Sequence, residues 1–382
     1  MNRSLSPGEV SRRLSLSRRD FLRSASGLAL GSALTSASPF VYGEAAQKKR
    51  KVIVITFGGG ARDQETFAPE GQENIPHLLE LAPQSSFFTH VTNQGILGHY
   101  VATASLATGV YETLNNFAAV PPDHPTVFEY FRKDLRRPSS DTWVVAPSNG
   151  FNRIGESQSR SYGSGAAVIL PKHLLQAATS GSGHNFDHLL RDNYEDPLYT
   201  PLLKGSDLEL DQLDQILRLS VDDFMSHART LTSPDELSVY IAKRLMQQEA
   251  PSLLWITMHD MDVAHSGAYS LYIEGIQRTD RLCGELWKAV QTEPEYKDNT
   301  TLFILPDFGR DADDDAGGNG FQHHRTGDAA SRTTWIMALG KGVREGVIYD
   351  QRIQSIDLVP TLGAMMGFSS QLAEGKPIKE LL

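Results

Sequence analysis

One feature constrains the fold of this chain more than any other: short apolar runs rich in β-branched residues that recur along its length. The first run, KVIVITF at 51–57, is mostly apolar and ends in the three glycines 58–60. A strand with almost no polar face suits a parallel sheet that helices cover on both sides. Further runs of this kind, each predicted to be a strand, lie at 87–91, 142–147, 252–258, 300–306 and 333–339.

Patterns typical of helices separate these runs, so strands and helices alternate along the chain. The predicted helices are 74–81, 102–108, 171–179, 208–228, 234–249, 268–292 and 356–368. Such alternation predicts an α/β fold with a mostly parallel central sheet flanked by helices. We expect one domain over 47–382. The patterning weakens at about 150–235, where Gly, Ser and Asn are frequent, and we predict an inserted cap region there.

The amino-terminal segment reads as a targeting signal rather than as part of the fold. SRRDFLR at 17–23 matches the twin-arginine export motif at nearly every position. A weakly apolar Ala/Gly/Ser-rich stretch follows at 24–40, and small residues at 43–46 suit a cleavage site. Residues 1–46 are therefore predicted to be a signal peptide for the twin-arginine translocation (Tat) machinery. The expected location is periplasmic or exported, with contact to the membrane only through an uncleaved signal.

Charge and cysteine content narrow the classes of partner. The formal net charge is -10 at pH 7, which argues against a nucleic-acid partner and against binding to anionic membranes through bulk charge. Cys283 is the only cysteine, so no disulfide can form within the chain. Its helical, apolar context predicts a buried structural thiol.

Polar and charged residues follow the predicted strands, which is where ligands bind in open α/β sheets. Carboxylates and imidazoles gathered at one sheet edge indicate a divalent metal site. The metal itself stays open among zinc, manganese, iron and calcium. The candidate ligands are Asp260, Asp262 and His265 after one strand, Asp307 after the next, and His323 and His324 before the last.

The acidic segment 311–315 is a separate candidate. The spacing of its carboxylates is similar to that of a calcium loop, but Ala316 stands where the tight turn needs glycine. We favour a solvated acidic loop for this segment.

Three stretches together resemble the alkaline phosphatase and sulfatase superfamily. ASLATGVY at 104–111 resembles the run that follows the nucleophile in sulfatases and phosphodiesterases. Asp260 or Asp262 with His265, ahead of a long helix, resembles the metal-binding Asp-His pair of that superfamily. The segment 333–368 resembles its last strand and helix. The resemblance implies the alkaline-phosphatase-like α/β fold over most of the chain.

The chain departs from the superfamily pattern at three positions. Gly58 stands near the expected first metal-binding aspartate, His99 stands at the nucleophile position, and Phe308 replaces a histidine after Asp307. A Tat-exported sulfatase-like group is a closer resemblance, because the stretches around Gly98, 307–311 and 322–324 take the places of its motifs.

The resemblance to the alkaline phosphatase and sulfatase superfamily implies a metal-dependent hydrolase of phosphoric or sulfuric esters with an altered active site. His99 would be a general acid or base, or a metal ligand, and Arg310 would be catalytic. Arg62, Arg325 or Arg310 itself would bind the anionic group of the ester substrate. The alternative is a non-catalytic periplasmic binding or assembly protein that keeps the fold. The sequence leaves both functions open.

Overall fold

The computed structural model describes residues 50–116, 120–147, 151–179, 185–190 and 207–382, so the predicted signal at 1–46 lies outside the described residues. Nine strands in the described part form one sheet. They are β1 Lys51–Phe57, β2 Ser85–Thr92, β3 Thr142–Val145, β4 Ala167–Ile169, β5 Leu253–Met258, β6 Thr300–Pro306, β7 Thr333–Gly340, β8 Val347–Tyr349 and β9 Ile353–Gln354.

The strand order is β4-β3-β5-β1-β6-β7-β2-β8, and β9 pairs with β2. Neighbouring strands are parallel except where β7 pairs with β6 and with β2. This mostly parallel sheet confirms the predicted fold class. The antiparallel direction of β7 is not visible in the apolar run that predicted it.

Helices cover both faces of this sheet. They are α1 Pro76–Leu81, α2 His99–Thr108, α3 Val127–Leu135, α4 Pro171–Thr179, α5 Asp187–Leu190, α6 Asp207–Asp211, α7 Val221–Ala228, α8 Pro234–Gln248, α9 Tyr269–Thr292, α10 Asp313–Ala316 and α11 Leu358–Met366. None of the helices in the described ranges is long and apolar enough to cross a membrane.

The central strand β1 shows why its apolar run has no polar face. Ile53, Ile55 and Phe57 pack into the core on one side of the sheet, and Val52 and Val54 pack into the core on the other side. Successive side chains of a strand point to opposite faces. Both faces are therefore buried, as the sequence predicts.

The weakly patterned segment around 150–235 contributes to this same architecture where it is described. β4 pairs with β3 at the edge of the sheet, and Leu174, Leu175 and Phe224 lie in one of the two main cores. The predicted single helix 208–228 is wrong in its middle. The chain leaves helical geometry at Arg218, whose φ is 52°, and Ser220 starts α7 by accepting a hydrogen bond from the Asp223 N–H.

The register brings the ends of the central strands together. Phe57 at the end of β1 is level with Met258 of β5 and with Pro306 of β6. Because β7 runs antiparallel to β6, its first residue, Thr333, lies at this same edge. The segments after β1, β5 and β6 and before β7 therefore meet at one edge of the sheet, together with the start of α2.

Candidate metal centre

Four side chains converge at this edge and form the candidate metal centre: His99, Asp262, His265 and His324. One ligand atom from each lies within 4.8 Å of the others. His99 is the first residue of α2, while Asp262 and His265 lie on the 3-10 turn Asp260–Ser266 that follows β5. His99 and Asp262 are buried, His324 is half-buried, and His265 is exposed. The group therefore opens to solvent on the His265 side.

The hydrogen bonds of His324 leave its Nε2 atom ready to act as a ligand. Nδ1 lies 2.9 Å from the carbonyl oxygen of Leu97, which can only accept, so Nδ1 carries the proton. Burial, together with the positive charges of His99 and Arg310, lowers the pKa of His324 to about 3. The neutral ring thus keeps a lone pair on Nε2, which lies 2.9 Å from Nε2 of His265.

His99 is held between two carboxylates. Its Nδ1 lies 2.7 Å from Oδ2 of Asp307, and its Nε2 lies 2.9 Å from Oδ1 of Asp262. Burial alone would lower the pKa of this imidazole, but the charges and hydrogen bonds of the two carboxylates outweigh burial and raise it to about 9. Without a metal the ring is therefore an imidazolium at neutral pH.

Asp262 is the anionic centre of the group. Its Oδ1 lies 3.1 Å from Nε2 of His265 and 3.2 Å from Nη2 of Arg310, in addition to the contact with His99. Burial would raise the pKa of this carboxyl, but His99 and the hydrogen bond from His265 hold the pKa well below its usual range. The carboxylate stays ionised and faces the other three members of the group.

Arg310 fills the space beside the glycines that end β1. Its Nε donates to the carbonyl oxygen of Gly59 over 2.8 Å, and the residue is 1% exposed. Gly59 has a φ of +65°, and a Cβ there would lie 2.3 Å from Nη2 of Arg310. A Cβ on Gly58 would lie 2.4 Å from Cδ2 of His259. The sequence resemblance implies a metal-binding carboxylate near Gly58. In the structure the backbone of Gly58 and Gly59 instead packs closely against the His259 imidazole and the Arg310 guanidinium.

Asp307 contacts the group from outside it. Its Oδ2 contacts His99, while its Oδ1 accepts hydrogen bonds of 2.9 Å from the N–H groups of Gly59 and Phe308. A carboxylate on the far nitrogen of a histidine fixes the orientation of the ring and raises its basicity as a ligand. Asp307, a predicted ligand, lies in the structure as the partner that orients His99.

Phe308 forms an apolar wall of the site, at the position where the sequence resemblance implies a histidine. Its ring stacks on His99 at a centroid distance of 4.7 Å and lies 4.6 Å from the ring of His324. The phenylalanine therefore holds two candidate ligands by packing. The contacts of Phe308 and of the Leu97 carbonyl follow no sequence motif, so sequence reasoning missed both.

Two other predicted ligands lie outside the group. Asp260 is on the same turn as Asp262, but its Oδ2 accepts from Nη1 of Arg278 over 3.1 Å. His323 is exposed and is not among the four converging side chains, although it directly precedes His324.

The two predicted substrate-binding arginines pair with carboxylates elsewhere. Arg62 is bound by Glu65 and Asp313, and Arg325 is bound by Asp311. Asp311 is itself buried, in contrast to the solvated loop predicted for 311–315. Arg310 is the third arginine predicted at the site, and it is the one that the structure places in contact with the group.

The donor set fits a divalent transition metal. Three imidazoles and one carboxylate suit zinc, manganese or iron better than calcium, which prefers oxygen ligands. The His324 imidazole is already neutral and the Asp262 carboxylate is already ionised. Asp307 contacts the Nδ1 atom of His99 and so orients a third donor.

Comparisons with known proteins agree with the architecture. No protein-family model matches the sequence, and no curated protein matches it. A phosphonate monoester hydrolase from Silicibacter pomeroyi is similar in structure, with a TM-score of 0.53 and 14% identity over 87% of this chain and 76% of that one. The Agrobacterium radiobacter phosphonate monoester hydrolase has a TM-score of 0.52 and 12% identity over 87% and 77% of the two chains.

The alkaline phosphatase PafA, in a variant form, has a TM-score of 0.52 and 11% identity over 88% of this chain and 99% of its own. At these identities the likeness concerns the fold. The chain therefore has an alkaline-phosphatase-like fold.

Proposed function

We propose that this chain is a metal-dependent hydrolase of anionic esters, of the phosphoric or sulfuric class, built on a single divalent ion held by His99, Asp262, His265 and His324. One observation carries the proposal: four ligand atoms within 4.8 Å of one another at the carboxyl edge of the sheet. The fold supports it, because structural neighbours are named as phosphonate monoester hydrolases and an alkaline phosphatase.

The charges around the site favour an anionic substrate. A divalent ion and the guanidinium of Arg310 would face the carboxylates of Asp262 and Asp307, which leaves one positive charge in excess when the imidazoles are neutral. The buried Nη1 of Arg310 is also available to a ligand, because it has no hydrogen-bond partner among the described residues. A phosphoryl or sulfuryl oxygen would satisfy that nitrogen.

The arrangement suits direct hydrolysis rather than a covalent intermediate. The nucleophile position belongs to His99, whose two ring nitrogens both contact carboxylates. When bound, the metal would supply Lewis-acid polarisation of an ester oxygen. Arg310 would hold the anionic group. The oxygen of a water molecule would bond to phosphorus or sulfur as the bond to the ester oxygen breaks, and one proton of that water would pass to the departing ester oxygen.

We also propose export through the Tat pathway, on the basis of the motif at 17–23. A folded metalloprotein is a suitable cargo for a route that moves folded chains. Fusion of residues 1–46 to a reporter that requires Tat export tests this, and the Arg18→Lys, Arg19→Lys double substitution should abolish transport.

Turnover measured on defined esters tests the hydrolase proposal. Protein purified without chelator and charged with zinc, manganese or iron(II) is assayed on 4-nitrophenyl phosphate, 4-nitrophenyl sulfate and 4-nitrophenyl phenylphosphonate. We expect metal-dependent release of 4-nitrophenol and a loss of at least about 100-fold in the His324→Ala variant. The matched control is His323→Ala, which removes the neighbouring imidazole outside the group and should leave turnover unchanged.

Two outcomes contradict the hydrolase. Absence of bound metal in the wild-type protein would remove the centre on which the proposal depends. Stoichiometric metal with no turnover of any of the three esters would favour the binding or assembly protein instead.

A further inference from the structure

We propose that Asp235 is a positioning residue for the candidate metal centre, because its carboxylate fixes the turn that presents Asp262 and His265. This inference rests on the proposed metal centre. Asp235 lies in the first turn of α8, 24 and 25 residues before its two partners, and is 0% exposed.

The carboxylate of Asp235 binds backbone at the point where β5 ends and the turn begins. Its Oδ1 and Oδ2 lie 2.7 and 2.8 Å from the amide nitrogen of His259, and Oδ2 lies 2.7 Å from that of Asp260. These are the amide groups of His259, the N-cap of the turn Asp260–Ser266, and of Asp260, its first residue. Asp235 therefore caps the start of this turn from another element of the fold.

Asp235 is available for this role because a different residue caps its own helix. The Oγ of Ser233 accepts the Glu236 N–H at the start of α8 over 3.2 Å. The Asp235 carboxylate is therefore not needed as the cap of α8. Its hydrogen bonds to the turn after β5 indicate that it positions that turn.

The anchored turn carries two of the four candidate ligands. The N–H of Asp262 donates to the carbonyl oxygen of His259 over 3.1 Å, so the ligand is one hydrogen bond away from the residue that Asp235 holds. The side chain of Asp260 is tied to Arg278 of α9 on the same side. Asp235 thus fixes the backbone, while the Asp260–Arg278 pair fixes the adjacent side chain.

The variant Asp235→Asn tests the proposal with little change in shape. Both carboxylate oxygens accept backbone N–H groups, so the amide NH2 of asparagine would place a donor against a donor at one of them. We expect the dissociation constant for zinc, measured by chelator competition, to rise about 10- to 100-fold. Hydrogen exchange at the amides of His259 and Asp260 should accelerate in the metal-free protein.

The matched control is Asp141→Asn, which changes a carboxylate at the other end of β5. Asp141 accepts the Ser252 N–H over 3.1 Å and the Ser252 hydroxyl over 2.7 Å, directly before β5. Both variants lose buried hydrogen bonds to backbone and should unfold at lower temperature. Only Asp235→Asn should lose affinity for zinc.

The outcomes separate this inference from the proposed function. Wild-type zinc affinity in Asp235→Asn, with lowered thermal stability, would reduce Asp235 to a structural residue and overturn the inference alone. A wild-type protein that binds no zinc, manganese or iron would overturn the proposed function, and the positioning role with it.

Discussion

The variant Asp262→Asn tests most of the site geometry in one substitution. Oδ1 of Asp262 lies within 3.2 Å of nitrogen atoms of His99, His265 and Arg310, and the side chain is 2% exposed. Asparagine keeps the shape and removes the charge. The buried guanidinium of Arg310 then loses its only carboxylate partner among the ion pairs of the described residues.

The expected loss of stability follows from that uncompensated charge. Removing one partner of a buried ion pair typically lowers the free energy of unfolding by about 3–5 kcal/mol. For a folded part of roughly 330 residues, at about 2.1 cal/mol/K of unfolding entropy per residue, this corresponds to a fall of about 4–7 °C in Tm. The same substitution removes the only carboxylate from the four-ligand group, so metal affinity should fall by at least about 1,000-fold.

The control is Asp260→Asn, two residues earlier on the same turn. Asp260 pairs with Arg278, whose side chain is 16% exposed, and does not face the group. Thermal unfolding followed by circular dichroism and metal affinity from chelator competition are measured on both variants. We expect Asp260→Asn to keep metal affinity within about tenfold of wild type, because it loses a support and not a ligand. Equal losses of affinity in the two variants, or wild-type affinity in Asp262→Asn, would refute the assignment of ligands.

Three further predictions concern backbone, pH and metal. Gly59→Ala should destabilise the protein by at least about 1 kcal/mol in thermal unfolding, because alanine is strained at a φ of +65° and its methyl group would clash with Arg310. Unchanged stability would contradict the close packing of Arg310 against Gly59. Burial would raise the pKa of Asp141, but hydrogen bonds from Arg137 and Ser252 outweigh burial and lower the pKa below 3.8. The ionised carboxylate therefore contributes stability above pH 3.8, and this contribution is lost as the pH falls through the lowered pKa. Asp141→Asn should therefore lower the free energy of unfolding by about 1.5–3 kcal/mol at pH 7 and by progressively less below pH 3.8. An equal loss at pH 7 and below pH 3.8 would count against an ionised Asp141 paired with Arg137. Zinc at 100 times its dissociation constant should stabilise the protein by about 2.7 kcal/mol, and a Tm indifferent to zinc would show that the folded state has no specific site.

The sequence predicts the centre of the sheet well, for a physical reason. β1, β5 and β6 are buried on both faces, so their residues are apolar almost throughout and their bounds can be read within a residue or two. The short strands β4, β8 and β9 have two or three residues each, too few for an apolar run to identify a strand. Their pairing depends on neighbours that the local sequence does not specify.

Spacing alone could not sort the ligands on the turn after β5. Asp260 and Asp262 differ by two positions, and both follow a buried strand. The 3-10 geometry of the turn directs one toward His99 and the other toward Arg278. Such a difference in direction depends on the conformation of the turn, which composition does not reveal.

Residues that act through backbone contacts were beyond sequence reasoning. Asp235 looks like an ordinary acidic residue in the first turn of a helix, a place where carboxylates are common. Its contacts with His259 and Asp260 exist only because α8 packs beside the end of β5. Arg62 and Arg325 show the converse, since both lie in promising loops and yet are bound by nearby carboxylates.

The most direct test of the metal centre is elemental analysis of the protein purified without chelator, for wild type beside His324→Ala and His323→Ala. The two histidines are adjacent in sequence, but only His324 belongs to the converging group. We predict one equivalent of zinc, manganese or iron in the wild type and in His323→Ala, and a loss of that metal in His324→Ala. Metal retained in His324→Ala, or lost equally in both variants, would contradict a centre built on this imidazole.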